Sequence, residues 1–440
     1  MEPSGAGAST LRLLSRALRH RNYRLFFAGQ SVSLIGTWLT RVATSWLVYR
    51  LTGSAMVLGI VGFVGQIPTF IFAPLAGVWV DRVNRHRALL ATQVLAMIQS
   101  ALLAALTLTH SITVGLVLVL QCAQGIINAV DMPARQAFVV EMIEDRRDLP
   151  NAIALNSSMV NAARLLGPSI AGVLIAGVGE GMCFSIDALS YVAVIISLVI
   201  MRVAPRPNVQ HPRRVLVELA EGFRYAAGSV PIRSVLLLLA LVSLMGMPYA
   251  VLMPAVASEV LHGGPGTLGL LMASSGLGAL AGALYLASRQ SVLGLGRIIA
   301  LCSAGFGAGL IAFSRSRDLW LSVLLMAPTG MAMMVQMAAS NTVLQTIVDE
   351  DKRGRVMSFY AMAFFGTAPI GSLFAGVVAS RFGAPAAILA GGIACVAGAI
   401  AFFKALPAVR AATRPIYVRL GILPDSAGSV PSELTAPPDG

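Results

Sequence analysis

Charge is scarce in this chain. Asp, Glu, Lys and Arg make up 12% of its 440 residues, against apolar AVILMFWYC residues at 57% and a mean hydropathy of +0.79. A globular domain carries about 25% charged residues, so a water-soluble surface cannot be built from this composition, and disorder is excluded by the same shortage. Lysine is nearly missing: 30 of the 32 basic residues are Arg, the exceptions being Lys352 and Lys404. The net charge of +13 therefore reads as a compositional bias and not as a phosphate-binding surface, and no nucleic-acid partner is expected. Cysteine is limited to Cys122, Cys183, Cys302 and Cys395, each inside an apolar stretch and far from the others. That is neither a disulfide framework nor a zinc pattern. The five histidines, His20, His86, His110, His211 and His262, are scattered in loops or at the ends of apolar segments. A GxxxxGK[ST] loop, an HExxH pair and a serine-nucleophile elbow are all missing, which argues against a built-in ATPase, a metalloprotease or a hydrolase. No cofactor and no metal is expected. A membrane enzyme acting on lipids, the alternative class, would need a paired nucleophile and base at the interface, and none is visible.

What is present is bilayer-length apolar sequence. A membrane span needs about 20 mostly apolar residues, and charge-free runs of this length recur from Leu51–Val80 to Phe382–Phe403. Three more segments carry a single charge each, Arg41, Arg164 or Asp187. Twelve spans result, over residues 24–50, 55–79, 88–109, 112–134, 152–178, 181–203, 233–257, 266–288, 297–314, 319–345, 355–379 and 384–405. The fold class expected is an all-α membrane protein of two six-helix bundles.

Five segments follow: a cytoplasmic 1–23, a bundle over 24–203, a cytoplasmic linker over 204–232, a bundle over 233–405 and a flexible tail over 406–440. The polar, Arg-bearing start reads as retained and not as a removable signal. With the N-terminus inside, 26 basic residues fall on the cytoplasmic side and four on the outer side, so both termini are expected to be cytoplasmic. The two halves echo each other. Gly167 to Gly172 (GPSIAG) returns 204 residues later as Gly371 to Gly376 (GSLFAG), each behind a charged loop. Duplication around a linker is the layout of a secondary transporter with a central site.

Between spans 2 and 3 stands Gly77, then Asp81, then Arg82, Asn84, Arg85, His86 and Arg87. This resembles the signature loop of the major facilitator superfamily. Together with Gly36, Thr37 and Trp38, with Asp131 to Phe138, and with Asn161 to Gly172, it is similar to the enterobactin-exporter-like (transmembrane secretion effector) branch, over roughly residues 15–405. The resemblance implies alternating access driven by an ion gradient. It implies export of a siderophore, drug or other hydrophobic or amphipathic metabolite across the bacterial inner membrane by proton antiport. A proton-linked importer is the alternative within transport. The expected partners are a small-molecule substrate, protons and the bilayer, with the chain a monomer.

The resemblance also implies roles. Gly77 would admit a neighbouring helix, and Asp81, Arg82, Arg85, Arg87 and Asp131 would form a conformational gate, with Asn84 standing where a left-handed glycine is usual. Gly167, Pro168 and Gly172 resemble the helix-packing motif of antiporters. The arginine expected in span 4 before Gln124 is Gln121 here, so its role in coupling cannot be carried over. Intramembrane charge is costly and usually functional, which makes Asp187, Arg41 and Arg164 the coupling candidates, with an Arg41–Asp187 pair allowed by their similar depth. Gln30, Thr37, Gln121, Gln124, Tyr249, Met333, Gln336 and Asn341 are candidate contacts of a substrate cavity.

Overall fold

The computed structural model describes residues 16–80, 82–202, 215–289 and 291–423. No strand occurs among them. Twelve long helices carry the fold: α1 (Arg21–Thr52), α2 (Ala55–Val80), α3 (Arg85–Leu108), α4 (Val114–Glu141), α5 (Leu149–Val178), α6 (Glu180–Ile200), α7 (Val230–Val260), α8 (Pro265–Ala287), α9 (Leu295–Arg315), α10 (Leu319–Ile347), α11 (Lys352–Phe382) and α12 (Ala384–Arg419). Eleven are long and apolar enough to cross a bilayer. The twelfth, α1, has the length but is diluted by Gln30, Thr37, Arg41 and other polar residues along it.

Connections are short, and each is fixed by local chemistry. Gly53 closes α1 in the left-handed region, at φ 58°, donating its N–H to the Tyr49 carbonyl at 2.7 Å. Thr113 and Asp318 accept a backbone N–H at the starts of α4 and α10. Asn84 differs from expectation. It is extended, at φ −68° and ψ 110°, and its side chain caps α3 by accepting the Arg87 N–H at 3.0 Å. It was expected to tolerate a left-handed turn; it serves as an N-cap instead.

Packing repeats across the chain. In the first half α1 packs on α5 and α6, α2 on α4, and α3 on α4 and α6. In the second half α7 packs on α11 and α12, α8 on α10, and α9 on α10 and α12. Adding six to each helix number converts one set into the other. Contacts between halves obey the same rule: α5 meets α8, and α11 meets α2.

Between the halves, residues 203–214 lie outside the described set, and a helix follows over Val215–Gly228. It docks on the second half, where Glu221 meets Arg355 at 2.8 Å and Tyr225 donates to Asp349 at 3.2 Å. At the far end the sequence expectation is corrected. The flexible tail was expected from residue 406, yet α12 runs on through Pro407 and Pro415 to Arg419, whose guanidinium reaches Asp349 at 2.9 Å.

Candidate functional site

The GPSIAG/GSLFAG echo marks how the halves are joined. A Cβ on Gly167 would collide with the Trp38 side chain of α1, and one on Gly371 would collide with the Leu244 carbonyl of α7. Each first glycine thus seats its helix on the first helix of its own half. The second glycines face the other half: a Cβ on Gly172 would lie 2.8 Å from the Gly269 Cα on α8, and one on Gly376 would lie 3.0 Å from the Gly59 Cα on α2. Glycine here lets backbones touch. Pro168 is buried beside Gly167 inside α5.

Those joints lie toward the arginine-poor face, and at that face Tyr49 of α1 donates to Glu259 of α7 at 2.5 Å. Toward the arginine-rich face the situation is opposite. A Cβ on Gly77 would meet nothing within 4 Å. The close helix approach expected at Gly77 is therefore not made; α2 makes its tight contact with the other half at Gly59 instead. Asp81, the acid of the signature loop, lies outside the described residues. Arg85 pairs with Glu141 of α4 at 2.7 Å, and Arg87 is exposed, as is Arg82. His86 meets the Leu198 carbonyl of α6 at 2.8 Å. Asp131 is buried and takes Thr92 at 2.9 Å, Gln93 at 2.6 Å and the Arg135 guanidinium one turn along its own helix. These partners all belong to the first half.

The Arg41–Asp187 pair that their similar depth would allow does not form. Asp187 is only 1% exposed, and its Oδ2 accepts the Thr40 hydroxyl and the Ser100 hydroxyl, each at 2.7 Å. Its Oδ1 has no hydrogen-bond partner and sits where a side chain on Gly36 would be. Thr40 and Gly36 are four residues apart on the face of α1 that meets α6. Arg41 is one residue on, turned by about 100°, and points away. Equal depth was the wrong criterion, because depth does not fix helix rotation. Thr40 and Ser100 were not anticipated as donors; a hydroxyl leaves too weak a mark in an apolar sequence.

Arg41 lies over the Trp38 ring, its guanidinium carbon 4.7 Å from the ring centroid, and Arg164 of α5 lies 5.8 Å from the same centroid. Arg41 is exposed in the middle of its helix, and the backbone of Arg164 packs on Gly276 of α8. Arg164 therefore stands where the halves face each other, with Arg41 beside it across the Trp38 ring.

The remaining candidates scatter. Gln121 touches Thr44 at 3.4 Å and Gln124 bonds Asn128 at 3.1 Å. Thr37 donates to the Ser33 carbonyl at 3.0 Å, and Gln30 is buried with its Oε1 unpartnered. Tyr249 shares a 2.9 Å hydrogen bond with Ser275 of α8. On α10, Gln336 is buried against Ser340, Asn341 accepts from Gln345, and Met333 is buried while Met331 is exposed. Tyr249 lies close enough to Arg164 for the two to interact electrostatically, whereas Gln336 and Asn341 bond within α10.

The model of the transmembrane secretion effector family matches residues 15–417. The chain is similar to the staphyloferrin A transporter of Staphylococcus aureus, with 24% identity over 82% of this chain and 90% of the relative. It is also similar to the multidrug efflux pump Tap of Mycolicibacterium fortuitum, with 27% identity over 81% and 88%. A third relative is the macrolide efflux protein A of Streptococcus pyogenes, with 24% identity over 83% and 92%. Among solved structures, the peptide transporter POT matches with TM-score 0.71 and 12% identity over 89% of this chain and 95% of that one. The nucleoside transporter NupG matches with TM-score 0.65 and 14% identity over 88% and 99%.

Proposed function

Since the chain belongs to the transmembrane secretion effector family of major facilitator transporters, we propose that it exports a hydrophobic or amphipathic small molecule in exchange for protons. It works by alternating access in the bacterial inner membrane, as a monomer with both termini and the linker in the cytoplasm. The observation that carries this reading is the joint between the halves. Gly172 on Gly269, Gly376 on Gly59 and Tyr49 on Glu259 hold the arginine-poor ends together. No such contact is made at Gly77. Two halves that touch from the arginine-poor end to mid-depth, where a side chain on Gly366 would meet the Phe70 ring, can rock about the α5–α8 and α2–α11 contacts. The domains are then 24–203 and 233–405 about a linker over 204–232.

Export and substrate class rest on the relatives, which are named for siderophore, multidrug and macrolide transport. Gly77, Asp81, Arg82, Arg85, Arg87 and Asp131 would govern the arginine-rich gate. Proton coupling falls to Asp187, a carboxylate buried among hydroxyls that can receive or release a proton without parting from a counter-ion. Cells expressing the chain should accumulate less of a macrolide than cells lacking it, and a protonophore should abolish the difference. Increased accumulation would make the protein an importer. Topology is checked by labelling single cysteines in intact cells with an impermeant thiol reagent: Arg381→Cys should react and Asn208→Cys should not.

A further inference from the structure

We propose that Arg41, Trp38 and Arg164 form a binding site for the anionic group of the transported molecule, so that the substrate class is an organic oxyanion, such as a carboxylate, attached to a flat apolar body. Two guanidinium groups share one indole ring at 4.7 and 5.8 Å. Like charges this close repel, and cation–π attraction offsets only about 1–2 kcal/mol per cation in a desolvated site. Elsewhere in the membrane region this protein neutralises its arginines or sets them at the rim: Arg135 has Asp131 and Arg50 has Glu180. Arg41 and Arg164 have no carboxylate partner among the described residues, and the Arg164 Nε is buried without a hydrogen-bond partner. Asp187, the acid nearest in depth, is committed to Thr40 and Ser100.

An uncompensated pair of cations at mid-membrane is costly. The cost is offset when an oxyanion bridges the two forks, because guanidinium N–H groups match carboxylate and phosphate oxygens in pairs. Trp38 supplies the face for the apolar body. Gly167 holds it in place, since any side chain there would displace the indole. Across the joint, Arg164 adjoins α8 at Gly276, one residue from Ser275, whose hydroxyl meets Tyr249. Binding and the closing of the halves therefore meet at one place. The 204-residue echo puts Ala368 at the counterpart of Arg164, so the second half adds no cation there.

The inference rests on the transport reading for the fate of the ligand but not for its binding. The test is equilibrium binding of a matched pair, 2-naphthoate and 2-naphthamide, to the purified full chain in dodecyl maltoside. Naphthoate should bind about tenfold or more tightly than the amide, the scale of a charged hydrogen-bonded contact, and should shield from acrylamide a fraction of the tryptophan fluorescence that Trp38→Phe removes. Arg164→Gln and Arg41→Gln should each remove the preference, and Arg164→Lys should keep part of it. Equal affinity for the two probes, or no saturable naphthoate binding, overturns the site even if the variants misfold, because that result is read on the unaltered chain. A lipid phosphate is the other source of the same chemistry. If the preference survives in phosphatidylcholine nanodiscs but vanishes with phosphatidylglycerol, the site holds a headgroup and the soluble-substrate assignment falls. Naphthoate that binds but is not moved by an imposed pH gradient leaves the site standing and removes the export reading.

Discussion

The two halves share every major helix pairing but not their chemistry. The first holds the mid-membrane charges, Arg41, Arg164 and Asp187, each on a continuous helix. The second holds no charge at those depths. Among its described residues it carries instead three π-helical turns, Val242–Gly246 and Val256–Val260 in α7 and Met362–Gly366 in α11. A π turn widens the helix and loosens its ladder. Two of these turns brace each other, with Ser243 donating to the Phe364 carbonyl at 2.5 Å. The same scaffold is thus used as a rigid holder of charge on one side and as a pliable wall on the other. Duplicated architecture preserves packing, because packing is what keeps twelve helices together; it leaves polar residues free to diverge.

The largest effect should fall on what the halves share. Gly172→Leu and Gly376→Leu each force a side chain between touching backbones, an overpacking of roughly 1–3 kcal/mol. That lowers closure of the arginine-poor face by roughly 5- to 150-fold. Transport should fall alike in both variants while monodispersity on size exclusion holds. Loss in one only would mean the joints are not equivalent.

Next comes the charged half. Asp187→Asn should abolish pH-gradient-driven efflux in reconstituted vesicles while sparing substrate binding, and adding Arg41→Gln should not restore it, because the two are not paired. Recovery in the double variant would put the pair back. Tyr49→Phe deletes the latch to Glu259 and should weaken closure of the arginine-poor face several-fold, by roughly 1 kcal/mol, seen as faster labelling of a cysteine placed near the joint.

A smaller contrast tests the pliable half. Ser243→Ala strips the Phe364 carbonyl of its donor and should cost about 1 kcal/mol of stability, whereas Ser303→Ala, whose hydroxyl donates to the Ile299 carbonyl of its own helix, should shift the melting temperature less. Equal shifts would deny the π turns any special bracing.

The smallest effect lies at the linker. The Arg419 guanidinium, and after it the Tyr225 hydroxyl, hold the Asp349 carboxyl below the usual carboxylate range. A lowered folded-state value stabilises docking above the unfolded-state value of about 4, and that stability is lost as pH falls through the folded-state value. Hydrogen exchange over 215–228 should therefore rise only in strong acid, and Asp349→Asn should remove the pH dependence.

Much of the fold is legible in the sequence. The twelve helices and the family resemblance follow from run length, charge placement and the blocks around Gly77 and Gly167. The site is less legible. Arg41, Arg164 and Asp187 stand out because charge is rare in apolar sequence. Their partners do not: Trp38 reads as one more apolar residue, and Thr40 and Ser100 are ordinary helix hydroxyls. Glu259 reads as a span boundary until Tyr49 is seen beside it.

The sequence by itself determined the solvent, the number of crossings and the duplication, since these depend on composition and length along the chain. Only the tertiary structure decided that Asp187 belongs to Thr40 and Ser100, that Arg41 turns to Trp38 and Arg164, and that the echoed glycines join one half to the other. The reason is rotational. Neighbouring residues on a helix differ by about 100° in direction, so residues one apart, such as Thr40 and Arg41, serve different faces. Which face meets which neighbour is set by the packing of all twelve helices together.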